Sequence, residues 1–126
     1  MFSYQFYQVV HIVGIVLAVS ALGGAAAQAM LGGSQRPGAS SRRLLAGLHG
    51  LGVFLVLLGG FGLLARIGIL RGAHFPGWLW VKLVIWAVVA IGLFVPSRWP
   101  GLARPLLFAL PLLGGLAAYM AIYKPF

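Results

Sequence analysis

Three residues join an ionisable group to a hydrophobic neighbourhood: His11, His49 and Lys82. An imidazole can move protons, hydrogen-bond or ligate a metal, and an ammonium pairs with an anion or a carbonyl oxygen. What is missing around them restricts that chemistry sharply. The chain has nine Lys and Arg, three His and no Asp or Glu, for a formal net charge of +9. Without a carboxylate it can build no Ser-His-Asp triad, two-carboxylate hydrolase site, Ca²⁺ or Mg²⁺ cage, or carboxylate proton relay. Without cysteine it can build no Fe–S cluster, thiolate zinc site, c-type haem attachment or disulfide. The sequence therefore leans away from an enzyme.

The elements that must position these residues follow from composition. Of 126 residues, 62% are hydrophobic and 7% charged, with a mean hydropathy of +1.05, which calls for lipid as the solvent. A helical span needs roughly 20 mostly apolar residues. Four such stretches fill the chain, over residues 6–31, 44–64, 78–95 and 102–123. They predict an all-α protein, a single domain over 1–126 built as an antiparallel bundle of four transmembrane helices. Period-two alternation is absent, which excludes a transmembrane barrel. Turn-rich connections separate the spans, and Trp78, Trp80 and Trp99 mark span ends where aromatic residues favour the membrane interface. Pro111 is expected to kink the fourth span. The run Ala25-Ala26-Ala27-Gln28-Ala29 has the look of a signal-peptidase site, but no basic region precedes the apolar stretch, so it reads as a retained helix.

The cations set orientation and partners. Arg36, Arg42, Arg43, Arg98 and Arg104 lie on one side of the bundle, against Arg66, Arg71 and Lys124 on the other. The positive-inside rule then places both chain ends outside the cytoplasm; the membrane expected is the bacterial inner membrane. The basic residues form no stripe and do not alternate with aromatics, so nucleic acid is not an expected partner. Anionic lipid headgroups, worth about 1 kcal/mol per cation, or the carboxylates of a larger membrane protein are the expected ones. Nineteen glycines, many inside the spans, suit close helix packing or clearance for a flat cofactor.

Depth groups the polar residues. At 1.5 Å per residue His11 lies about 10 Å from the bilayer centre toward the N-terminal surface, and Lys82 about 6 Å in the same leaflet. Tyr119 of the fourth span falls at that level too. These three are expected to converge inside the bundle, with the alternative that Lys82 snorkels past Trp78 to the interface. His49 lies in the opposite leaflet, roughly 18 Å from His11 along the membrane normal, so the two do not share an iron. Gln28 is its expected polar partner. His74, beside Pro76, reads as an exposed loop residue.

The layout of a first-span His, Arg42-Arg43-x5-His49, Gly77-Trp78-x3-Lys82-Leu83 and Tyr119-x4-Lys124-Pro125 resembles the SirB family of small four-helix membrane proteins. His11 with Gly77-Trp78-x3-Lys82 also resembles the haem-associated membrane protoporphyrinogen oxidase of bacteria. That second resemblance implies a functional site at His11 and Lys82 and an associated b-type haem, with His11 the metal ligand if haem is bound. The chain departs from it in having no acidic residue and no second histidine following the first span.

Three functions are compatible with these residues. The first expectation is an accessory or scaffold subunit of a larger membrane complex. The second is a redox membrane protein that interacts with b-type haem or a quinone, using His11, Lys82 and Tyr119. The third is a small transporter, for which three ionisable groups are few.

Overall fold

The computed structural model describes residues 2–31, 38–69 and 75–126. Arg36, Arg71 and His74 lie outside them. Among the described residues there is no strand. Five α-helices follow in order: α1 Tyr4–Leu31, α2 Ala39–Ile67, α3 Gly77–Ile91, α4 Phe94–Arg98 and α5 Ala103–Tyr123, with a 3₁₀ turn Pro100–Leu102 before the last. Four stretches are long and apolar enough to cross a membrane: Tyr4–Leu31, Ser40–Ile67, Gly77–Arg98 and Pro100–Tyr123. The sequence placed these within a few residues and missed the extra turn at each end of the second.

The third stretch is broken, which the sequence reading did not anticipate. Pro96 has no N–H to give the Gly92 carbonyl and its ring crowds that carbonyl. The Val95 amide bonds Gly92 O instead, at 3.1 Å, and the chain turns through Gly92 and Leu93 before α4 resumes. At Pro111, by contrast, α5 runs on as one helix. Pro105 sits in its first turn, where no amide donor is needed. Gly68 ends α2 in the left-handed region at φ 83°, and its amide closes onto the Ala65 carbonyl. That conformation is what glycine supplies at a helix end.

The closest helix pair is α1 with α2. Their glycines make backbone-level contact: a Cβ on Gly59 would lie 2.6 Å from the His11 amide nitrogen, one on Gly14 2.6 Å from that of Val56, and one on Gly52 2.5 Å from that of Ala18. Residue numbers rise along α1 as they fall along α2, from Tyr7 beside Gly62 to Gly24 beside Leu45. Between α2 and α3 the backbones meet at few points, and long side chains bridge the gap. At one end a core of Leu64, Trp78, Leu79 and Met120 ties α2, α3 and α5 together. Phe54, Val84, Ile91, Phe108, Leu112 and Ile122 point outward from the spans, the arrangement that a hydrocarbon solvent permits.

Candidate functional site

Gly59 and Gly60 decide where the His11 ring goes. The first lets the α1 backbone come down onto α2, and a side chain on the second would meet the imidazole Cε1 at 3.3 Å. The ring is thereby held beside the mid-helix carbonyl of Val56, to which Nδ1–H donates at 2.8 Å. A carbonyl oxygen only accepts, so this bond fixes the neutral tautomer and leaves Nε2 with its lone pair. No other hydrogen bond to His11 exists among the described residues.

Two similar bonds cross to α3. His49, 3% exposed, donates from Nε2 to the Val89 carbonyl at 3.0 Å. Trp86 donates from Nε1 to the Val53 carbonyl at 3.0 Å. His49, Val53 and Val56 stand one turn apart on α2 and so share a stripe. The Val53 and Val56 carbonyls lie mid-helix and take a second donor, whereas the Val89 carbonyl is in the last turn of α3, past the closing bond from the Gly92 amide to Val88. Such interhelical bonds are worth about 0.6 to 2 kcal/mol in a membrane. The expected pairing of His49 with Gln28 is corrected: backbone, not amide, takes the imidazole proton, and Gln28 lines a separate depression.

Because α2 and α3 stand apart, a partly open cavity of about 530 Å³ lies between them and is walled by α1 and α5. His11 and Lys82 both line it, as the sequence led us to expect. So do Trp78, Trp86 and Lys124, whose part the sequence reading missed. Along α5 the wall is Leu110, Gly114, Ala117, Ala118, Ala121 and Lys124. Small residues there leave the space unfilled, and a Cβ on Gly114 would touch nothing within 4 Å.

Lys82 is half-buried, and no hydrogen-bond acceptor reaches its ammonium among the described residues. Lys124 holds its ammonium 5.6 Å from the centre of the Trp78 ring, a cation–π distance. The Trp78 amide in turn donates to the Phe126 carbonyl at 3.3 Å, joining the end of α5 to the start of α3. The cavity therefore has apolar walls, two ammonium groups, the Tyr4 phenol and one imidazole acceptor.

Tyr119 does not join them. It is 48% exposed and its ring lies 4.7 Å from that of Tyr123 on the outer side of α5. At about 100° per residue it falls on the side of α5 opposite Ala117 and Ala121, so equal depth did not bring it inside. Among the described residues no group of three metal-ligating side chains forms. Comparison with protein-family models, curated proteins and solved structures finds no match to this chain.

Proposed function

We propose that this chain is a small inner-membrane protein that binds a lipid-soluble, quinone-type molecule in the cavity between its spans, with Lys82 and His11 as the polar pair that recognises the head group. The observation that carries this reading is the Lys82 ammonium in an apolar cavity, with no acceptor for it among the described residues. A lysine near mid-span costs roughly 2.5 to 3.5 kcal/mol on insertion scales. Oxygen atoms of a ligand would offset that cost. The pair is complementary: Lys82 donates to a carbonyl oxygen, whereas the His11 Nε2 lone pair accepts from a hydroxyl. A quinone and its reduced form present those two groups, and the walls suit a ring with an apolar tail. In this reading the chain crosses the membrane four times as an antiparallel bundle, with Arg42, Arg43, Arg98 and Arg104 on the cytoplasmic side and both ends opposite.

A second reading has its own observation. An imidazole whose Nδ1–H is tied to a backbone carbonyl is oriented as metal-ligating histidines are, with Nε2 free. The residues fit a b-type haem to that extent: His11 would hold the iron, and Lys82 and Lys124 would pair with its carboxylates. His49 is bonded elsewhere and lines no part of the cavity. A haem would supply electron transfer; the chain would supply the ligand, the anion contacts and the apolar walls.

Purification in mild detergent, followed by a visible spectrum and chromatography of an organic extract, tests both. Near-stoichiometric quinone without a Soret band supports the first reading, and a Soret band supports the second. An empty extract, no Soret band and co-migration with a larger protein on native gels would replace both with the accessory-subunit function.

A further inference from the structure

A second depression, of about 280 Å³, lies at the other end of the spans. Its walls come from α1 (Ala25, Gln28, Ala29), α2 (Arg42, Leu45, Ala46) and the broken end of the third stretch (Leu93, Phe94, Pro96, Ser97). Three features of the chain create it. Alanines on α1 and α2 leave a furrow where larger residues would interlock. The break imposed by Pro96 turns Phe94 outward, where it is exposed, and brings Ser97 to the rim. Arg42 stands in the first turn of α2, so its guanidinium is at the membrane surface while Leu45 and Leu93 lie below it.

Two polar donors line this depression. The Arg42 guanidinium and the Gln28 carboxamide come from two different helices, the Ser97 hydroxyl at the rim donates to the Phe94 carbonyl at 3.1 Å, and the sequence contains no Asp or Glu with which Arg42 could pair. Charge balance at this site must come from outside the chain. A negatively charged group at headgroup level, continuous with an apolar tail that descends along Leu45, Leu93 and Phe94, satisfies both halves of the furrow.

We infer that this furrow is a specific site for an anionic phospholipid, with Arg42 and Gln28 at its phosphate and one acyl chain against Ala46 and Phe94. It is separate from the quinone-type site, with which it shares no lining residue. A lipid here spans three helices and so clamps the α1–α2 hairpin to the kinked end of the third stretch.

Native mass spectrometry of the full chain released from mixed phosphatidylglycerol and phosphatidylcholine nanodiscs provides the test, with Arg42→Gln, Ala46→Leu and Arg104→Gln as variants. Arg104 is exposed and lines neither cavity, so it reports general charge attraction. The wild type is expected to retain one phosphatidylglycerol in preference to phosphatidylcholine. Arg42→Gln should lower that retention about five-fold or more, the size of one lost headgroup contact. Ala46→Leu should lower it by filling the furrow, and Arg104→Gln should leave it unchanged. Equal retention of the two lipids, or an equal loss in Arg42→Gln and Arg104→Gln, would overturn the site. Displacement of the lipid by millimolar glycerol phosphate, with no effect of Ala46→Leu, would make it a site for a free phosphate and would also overturn it.

Discussion

In the proposed function Lys82 and His11 divide the recognition of a head group between a donor and an acceptor, and substitutions should separate the two roles. Lys82→Met keeps the length of the side chain and removes the charged donor. A hydrogen bond to a charged group is worth about 1.5 to 3 kcal/mol, so affinity for a quinone should fall roughly ten- to a hundred-fold while the protein still inserts and folds. Isothermal titration in detergent measures the first, and circular dichroism the second. Unchanged affinity would remove Lys82 from the site. Sequence depth put these two residues at one level, and both line the same cavity. It failed for Tyr119 because depth is only one coordinate. Leu110, Gly114, Ala117, Ala121 and Lys124 recur at helical spacing, and that stripe, legible in the sequence, marks the inner side of α5 and excludes Tyr119. Lys124 was passed over because its position at a span end reads as an interfacial charge.

Between elements, the bundle is held in two different ways. At the α1–α2 seam the glycines set the spacing, so Gly59→Ala would push a methyl group to 2.6 Å from the His11 amide nitrogen. Overpacking of this kind costs about 1 to 3 kcal/mol. Because it moves His11 as well, Gly59→Ala should lower both the unfolding free energy in a denaturing-detergent titration and the affinity for ligand. Stability unchanged in that titration would mean the helices part without cost. At the wider α2–α3 gap the hydrogen bonds of His49 and Trp86 do the joining. Trp86→Phe retains an aromatic wall and loses the bond to Val53, for an expected loss of about 0.6 to 2 kcal/mol in the same titration. These bonds were not legible beforehand, since a backbone carbonyl inside a helix leaves no mark in sequence. The break after Ile91 was legible in principle, because Pro96 points four residues back to Gly92.

At the scale of the whole molecule, four long apolar helices and, among the described residues, no strand were legible in the sequence, since hydropathy and length are additive along a chain. The sequence supplied neither the cavity nor the furrow, which depend on how far neighbouring helices stand apart. The sequence has no cysteine, so single cysteines can be read against a clean background. Cysteines at Ser3 and Pro125 should react with a membrane-impermeant maleimide added to intact cells, and those at Ser41 and Ser97 only after permeabilisation. The reverse pattern would invert the topology, and reaction of all four in intact cells would contradict the four-span bundle.

The central claim, that the cavity lined by His11 and Lys82 holds a quinone-type ligand, is tested most directly by tryptophan fluorescence. Trp78 and Trp86 line the cavity, and Trp80 and Trp99 are exposed outside it. A short-chain quinone titrated into the protein in nanodiscs should quench part of the emission saturably, at one ligand per chain. Gly114→Leu, which places a side chain into open space at the cavity wall, should abolish the saturable part without unfolding the bundle. Lys82→Met should weaken it, and Arg104→Gln should leave it as it is. Quenching that rises linearly with quinone in every variant would show partition into lipid alone and would contradict the claim.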